Sequence, residues 1–417
     1  MLSQVVLKRL NKWSLFKEQP GIVLKIQAEK NEPISDSTTT LNQFFLFSMA
    51  SNNTHSLELI LLTGATGFLG SHILTQMLEQ GYRVRTLVRE KKVSQFKSMY
   101  QRFGDQLDVV PIVDIATDQL PDAFKGVTAV IHTAAPLGGR VNDIDESVKG
   151  AVDGALNVIR QAEKAGITRV VLTSSFATVI NPQYQLTDQG NRVLVISSQY
   201  TPTDQDWYSV DTREKAHETQ PHGVDAYRAA KTIAEKEVWE FAESHPHVDI
   251  TVLNPPIFYG PFAEGFSLPT PDYYALSTNL YYYRLTVPNG VYPMSSFYID
   301  VRDIAKAHIL ALDAPSASIV GRKRIIIASP HEVDYNEVID LIKTKRPELA
   351  DRLIKTPPPV YPRKKMPYNS KRVEEVLGMK ESDFASLEST ILETIDGVLG
   401  FEKQWMDAGF KIDIPLE

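Results

Sequence analysis

From residue 57 the chain alternates short apolar runs with amphipathic stretches, and that alternation sets the first expectation about its architecture. Leu57-Glu58-Leu59-Ile60-Leu61-Leu62 is short, almost wholly apolar and followed by a glycine-rich turn. That is the pattern of a parallel strand buried on both faces. Beyond the turn, Ile73, Leu74, Met77 and Leu78 recur at helical spacing, and Gly81 supplies a helix stop before a second apolar run at 84–88. The order is a βαβ unit. Further strands are expected at 109–112, 129–132, 169–173 and 250–253, separated by helices such as 147–165 and 226–243. Strands alternating with helices imply an α/β fold built on a doubly wound parallel sheet covered on both faces.

After Asn254 the texture becomes proline- and aromatic-rich, with Tyr273, Tyr274, Tyr281, Tyr282 and Tyr283 ahead of Pro288-Asn289-Gly290. This composition suits the wall of a pocket, with ordinary packing of a small domain as the plainer alternative for each ring. The remainder mixes short apolar runs with helical patterns and Pro357-Pro358-Pro359, as expected of a smaller C-terminal domain.

Composition narrows the function classes. Of 417 residues, 43% are hydrophobic and 23% charged, which is ordinary globular usage and excludes a disordered or collagen-like chain. A net charge of −7 without a long Lys/Arg run argues against nucleic acid as a partner. The absence of cysteine excludes disulfides, thiolate nucleophiles and Cys-ligated zinc. The His245-x-His247 pair lacks further ligands at suitable spacing, so no metal site is expected. No stretch reaches the roughly 18–20 apolar residues of a membrane span.

The first seventeen residues carry Lys8, Arg9, Lys12 and Lys17 among apolar positions, a pattern compatible with an amphipathic mitochondrial leader. A single arginine and the polar run from Asn31 to Thr40 argue against it. The preferred reading is a dispensable segment at 1–56, a functional chain opening at Met49, and a cytoplasmic location.

Three patterns carry chemistry. Thr63-Gly64-Ala65-Thr66-Gly67-Phe68-Leu69-Gly70 sets three glycines between a strand and a helix. Gly64 allows the tight turn, Gly67 lets backbone approach a pyrophosphate, and Gly70 lets helix and sheet come close. The helix N-terminus then offers free N–H groups to phosphate. The second strand ends in Arg89 where NAD binders place an acid, with Arg85 inside the strand and Lys91 and Lys92 beyond it. These cations suit the 2′-phosphate of NADPH, although Glu90 complicates the reading.

Second, Tyr227 and Lys231 stand four residues apart in an amphipathic stretch and so share a helical face. A phenol titrates near pH 10, and a neighbouring ammonium lowers that value, so the pair suits proton donation. Third, the strand Arg169-Val170-Val171-Leu172-Thr173 runs into Ser174-Ser175-Phe176 at the sheet edge where ligands bind. Ser175 can donate to a carbonyl oxygen as charge develops on it; a turn-capping role is the alternative, and Ser174 fits that equally well.

Together these residues resemble the extended short-chain dehydrogenase/reductases, with greatest similarity to the branch of dihydroflavonol reductases, cinnamoyl-CoA reductases and fungal methylglyoxal and ketone reductases. The matching stretches are TGATGFLG, VIHTAAP at 130–136, VVLTSSFATV, DAYRAAKTIAEKEVWEF, LNPPIFYGP and YIDVRDIAKAH, in order over about 57–312. The resemblance implies a Rossmann-type nucleotide domain at 57–260 with a return at 298–315, and a smaller substrate domain from 261–297 and 316–417. It implies Ser175, Tyr227 and Lys231 as the catalytic set. It further implies that Gly64, Thr66, Gly67, Phe68, Leu69 and Gly70 cradle pyrophosphate and that Arg89 and Lys92 meet the 2′-phosphate. Asp114 and Ile115 would flank adenine. Thr133, Ala134 and Pro255 would line the path to the nicotinamide, whose ribose Lys231 would hold. Pro136, Phe176 and Ile257 would meet the substrate, with Leu137, Phe258 and the tyrosines near 273–283 as further candidates. Two departures stand out. The stretch 180–224 is longer than expected despite an Asp206-Trp207 landmark, and 1–48 has no counterpart.

The expected activity is NADPH-dependent reduction of a small aldehyde or ketone, by a monomer or a homodimer. A sugar-nucleotide epimerase or dehydratase shares the triad but needs cations for a diphosphate, and a non-catalytic NADP-sensing protein would not need Tyr227 and Lys231.

Overall fold

The computed structural model describes residues 58–135, 143–186, 192–197 and 200–416. The expectations for the leader at 1–56, for Met49, and for Pro136 and Leu137 lie outside the described residues.

Seven strands form one parallel sheet: β1 (Leu59–Thr63), β2 (Arg83–Arg89), β3 (Leu107–Ile112), β4 (Ala129–His132), β5 (Arg169–Thr173), β8 (Asp249–Asn254) and β11 (Lys323–Ile326). Their spatial order is β3-β2-β1-β4-β5-β8-β11, and every pairing is parallel. This is a Rossmann-type sheet, whose strand order reverses between β1 and β4 and opens a crevice at their carboxyl ends.

Two-residue periodicity divides each strand between two cores. Ile60, Leu62, Ala129 and Ile131 enter one core, whereas Leu59, Leu61, Val130 and Leu172 enter the other. The first face is covered by helix α1 (Phe68–Glu79) and by helix α5 (Val301–Leu310), which pack on each other. The second is covered by the long pair α2 (Ile144–Lys164) and α3 (Gly223–Ser244). Asp143 caps α2 by accepting from the Glu146 N–H at 2.8 Å, which closes the first turn of the helix.

The C-terminal part of the chain builds two smaller clusters, using helices α4 (Asn279–Arg284), α6 (Tyr335–Lys345) and α7 (Leu387–Asp407) and the short parallel pair β9 (Ile257–Tyr259) and β10 (Tyr298–Asp300), and a third cluster joins Phe176, Val179, Ile180 and Ile196 to Phe297, Ile326 and Met366. No helix among the described residues is long and apolar enough to cross a membrane.

Three differences from the sequence reading have physical causes. Lys323–Ile326, expected in the smaller C-terminal part, is the last strand of the main sheet. Its two cations disguise it, because Lys323 and Arg324 are buried only by virtue of partners at Asp249 and Glu235. The long stretch 180–224 contains an antiparallel hairpin, β6 (Gln183–Leu186) with β7 (Arg192–Val195). The tyrosines at 273–283 do not form one wall. Helical geometry sends Tyr282 and Tyr283 into two different cores, Tyr273 packs edge-on against Trp405, and Tyr274 is exposed. Tyr281, half-buried like Tyr273, lies under the Arg284 guanidinium.

Candidate active site

The glycine turn sits where β1 meets α1. Gly64 adopts φ +79°, and a Cβ there would lie 2.5 Å from Thr133 Oγ1 and 2.8 Å from the Ala134 nitrogen. Those neighbours follow β4 and are themselves tied to β1: Thr133 Oγ1 donates to the Thr63 carbonyl at 2.8 Å, and the Ala134 N–H donates to Thr63 Oγ1 at 3.3 Å. A Cβ on Gly70 would approach the Gly64 carbonyl oxygen to 2.1 Å, whereas one on Gly67 would meet that oxygen at 3.3 Å. Gly64 and Gly70 therefore serve the close packing of turn and helix, and Gly67 faces outward. Gly67 is the N-cap of α1, with no side chain capping the helix and no acid in its first turn. The N–H groups of Phe68, Leu69 and Gly70 are left open to an anion, beside a half-buried Thr66. This cradle, which a Cβ would fill, fits a dinucleotide pyrophosphate.

At the end of β2, Arg89 is exposed and makes no hydrogen bond or ion pair among the described residues, and Lys92 is exposed nearby. Arg85, expected among the cations for the 2′-phosphate, points elsewhere. Its guanidinium is bound to Asp108 at 2.6 Å and to the carbonyls of Ala123 and Lys125 at 3.0 and 2.8 Å, so it braces the sheet edge and is already committed to the protein's own groups. Asp114 and Ile115 follow β3. Asp114 accepts from the Ala116 N–H at 3.0 Å, and the Ile115 carbonyl accepts from Asn157 at 2.9 Å, so this loop is held in shape by its own contacts.

At the end of β5, Ser175 Oγ accepts from the Ala177 N–H at 3.1 Å and lies within hydrogen-bonding reach of the Tyr227 hydroxyl. Ser175 thus takes the turn-capping role through a lone pair, and its hydroxyl also stands beside Tyr227. Ser174 takes neither role, since it donates to Glu235 at 2.5 Å. Tyr227 and Lys231 share a face of α3, and the Lys231 ammonium donates to the Thr173 carbonyl at 2.9 Å.

The electrostatics differ from the simple expectation. Burial raises the Tyr227 pKa, opposed by the Ser175 hydroxyl and then by the Arg228 guanidinium. Burial lowers Lys231 to about 8 while the Glu235 carboxylate pulls the other way, so the amine stays cationic at neutral pH.

Phe176 is buried against Phe297, and Ile257 is half-buried beside the aromatic C-terminal cluster. Phe258 turns the other way, toward Phe68 at 5.9 Å between ring centres. Pro255 is buried and its carbonyl accepts from the Phe176 N–H at 2.8 Å, which lashes the segment after β8 to the segment after β5.

Sequence reasoning missed the polar floor of the site. Glu235 lies one helical turn beyond Lys231, and its carboxylate accepts from Ser174, Thr178 and Asn254 and pairs with Arg324 at 2.6 Å. His132 and His308 stand below the strand ends, bonded to Thr63 Oγ1 at 2.9 Å and Thr173 Oγ1 at 2.7 Å. The repeat Tyr227, Lys231, Glu235 was the one local signal for Glu235.

Residues 60–327 match the model of the NAD dependent epimerase/dehydratase family. A ketoreductase of Aspergillus niger is 32% identical, the match covering 78% of this chain and 93% of that one. An NADPH-dependent methylglyoxal reductase of Saccharomyces cerevisiae is 26% identical over 82% of this chain and 98% of its own. In fold, the chain is similar to the crystal structure of a yeast methylglyoxal/isovaleraldehyde reductase complexed with NADPH, with a TM-score of 0.67 at 24% identity over 83% of this chain and 99% of that one. The chain belongs to the NAD dependent epimerase/dehydratase family.

Proposed function

We propose that the protein is an NADPH-dependent reductase that converts an aldehyde or ketone to an alcohol. The observation that carries this reading is the meeting of Ser175 and Tyr227 at the carboxyl edge of the sheet, beside Lys231 and on the same side as the open N-terminus of α1. A ketoreductase, an NADPH-dependent methylglyoxal reductase and a cinnamoyl-CoA reductase are among the relatives covering most of the chain, which favours this chemistry over epimerisation of a nucleotide sugar.

NADPH, when bound, supplies the hydride that reaches the carbonyl carbon. Gly64, Thr66, Gly67, Phe68, Leu69 and Gly70 would hold its pyrophosphate through backbone N–H groups, Arg89 and Lys92 its 2′-phosphate, and Asp114 and Ile115 its adenine. Thr133, Ala134 and Pro255 would line its path toward the nicotinamide. Ser175 donates a hydrogen bond to the substrate oxygen, and Tyr227 gives that oxygen its phenolic proton as negative charge develops. A phenol whose pKa is raised by burial is protonated before reaction, as a donor must be. Lys231 holds the nicotinamide ribose and contributes positive charge. Phe176 and Ile257 bound the substrate side, in a substrate region assigned to 261–297 and the chain after β11. A cytoplasmic location fits a chain without cysteine.

Tyr227→Phe tests the assignment. It should abolish most turnover, by about 100-fold or more for a lost general acid, while NADPH affinity stays nearly unchanged. Turnover at the level of the unmodified protein would refute the role given to Tyr227.

A further inference from the structure

Glu235 is a carboxylate with almost no solvent contact at the centre of the sheet's ligand-binding edge, 1% exposed and paired with an Arg324 that is equally enclosed. Burying such a pair costs several kcal/mol per ion before their attraction offsets it, and hydrophobic residues of similar volume often serve stability as well or better. Stability alone is a weak explanation for it, so its contacts decide what it does.

Oε2 accepts from Ser174 Oγ at 2.5 Å, Thr178 Oγ1 at 2.8 Å and Asn254 Nδ2 at 2.8 Å. Oε1 accepts from Arg324 Nε at 2.6 Å and from Trp239 Nε1 at 3.3 Å. The three groups on Oε2 surround Ser175. Ser174 precedes it, while Thr178 Oγ1 and Asn254 Nδ2 also reach the Ser175 carbonyl oxygen at 2.9 and 3.3 Å. Arg324 closes the frame, reaching the carbonyls of Asp204 and Asp206 at 3.1 and 2.6 Å and Thr178 Oγ1 at 3.0 Å, with Trp207 stacked 3.7 Å from its central carbon. The same carboxylate is the acid on the lysine's own helical face, four residues on, and a small cavity lies between them, lined also by His132, Thr173 and Ser174.

We propose that Glu235, held by Arg324, is a positioning residue of the reductase site: it fixes the main chain on which Ser175 stands and sustains the charge of Lys231. This rests on the reading of Ser175, Tyr227 and Lys231 as the reacting set. The groups facing Lys231 are Tyr227 and Glu235 from α3, His132 from β4, and the Thr173 carbonyl from β5, whose side chain is backed by His308 from α5. Both histidines are driven neutral by burial, to about 3 and about 4, and Tyr227 is neutral too. Among the described residues Glu235 is therefore the anion acting on the lysine, and removing its charge must lower the lysine's pKa further.

The test uses Glu235→Gln and, because that change strands a buried guanidinium, the double variant Glu235→Gln/Arg324→Met, both checked for folding by thermal melting. In cofactor-free protein, the Lys231 amine is titrated by NMR of isotopically labelled lysine, with Lys231→Arg to assign the signal. The expected downward shift is up to about one pH unit. In turnover with NADPH, kcat should fall about 10- to 100-fold through displaced Ser175, with the NADPH dissociation constant nearly unchanged and the alkaline limb of the pH profile moved to lower pH. Glu235→Asp, which keeps charge but shortens reach, should restore the lysine titration without restoring kcat. An unshifted Lys231 titration in a folded variant overturns the proposal, as does an unchanged kcat. Tyr227→Phe is run in parallel. If it retains full turnover, the catalytic reading fails on its own, and the lysine titration still decides the case for Glu235.

Discussion

Tyr227 works in an environment that raises its pKa, so its chemistry depends on what relieves the phenolate as the proton leaves. Ser175 is the first such group and the Arg228 guanidinium the second. Arg228 is itself buried, bonded to Asp225 at 2.7 Å and to the Tyr184 hydroxyl of the hairpin β6–β7. Lys231 acts differently, through its grip on the Thr173 carbonyl and the ribose assigned to it. Lys231→Ala should therefore weaken NADPH binding and lower kcat together, and steady-state kinetics alongside a direct binding titration would check both. A loss confined to kcat would contradict the ribose contact. Arg89, exposed and without a partner among the described residues, should contribute a charge-assisted hydrogen bond worth about 1.5–3 kcal/mol, or roughly ten- to a hundredfold in affinity. Arg89→Ala is expected to weaken NADPH by that factor and to leave NADH unchanged, so the ratio of the two dissociation constants is the measurement.

The turn into α1 separates two kinds of glycine. Gly70 has no room for a side chain, because its Cβ would press on the Gly64 carbonyl at 2.1 Å. Gly70→Ala should cost about 1–3 kcal/mol of stability, read as a lowered midpoint in urea or heat. Gly67, with an ordinary φ of −90° and its nearest neighbour at 3.3 Å, should accept alanine with little change in stability while losing NADPH affinity. A Gly67→Ala protein that binds NADPH normally would show that the phosphates do not approach there. This turn, the first βαβ unit and the Tyr227–Lys231 pair were legible in the sequence because each is written within a few residues, where spacing alone fixes geometry. Ser175 was legible as a strand-end hydroxyl. Glu235 and Arg324 were not, since they stand 89 residues apart and meet only once α3 and β11 are folded together. A strand carrying two cations is read as surface until its partners are known. The tyrosines at 273–283 misled for a related reason: composition shows aromatic area, but Tyr281, Tyr282 and Tyr283 take their directions from a helix of six residues whose sides meet different cores, and Tyr273 and Tyr274 from a separate turn.

Across the whole molecule the sheet edge depends on histidines kept neutral, and that ties stability to pH. The His308 value falls from an ordinary 6.5 to about 4 through burial. Between those values the unfolded chain binds a proton that the folded protein refuses, so stability is lost as pH falls through this window, by about 1.4 kcal/mol per pH unit for one such group. Asp303 opposes this trend: burial pushes its carboxyl up to about 7, so the stability it lends is lost as pH rises from 3.8 toward that value. His308→Gln should flatten the acid side of the stability curve by the single-group amount, measured as unfolding free energy in urea between pH 4 and 6.5. An unaltered slope would show that His308 is not the group being protonated. The central claim concerns turnover. Purified protein supplied with NADPH and a panel of aryl and branched aliphatic aldehydes and ketones, together with nucleotide sugars, tests it most directly by following cofactor absorbance and product together. The account predicts oxidation of NADPH with one alcohol formed per cofactor consumed, and weak activity with NADH. Epimerisation of a nucleotide sugar without net loss of NADPH, or binding of NADPH without turnover of any carbonyl compound, would contradict it.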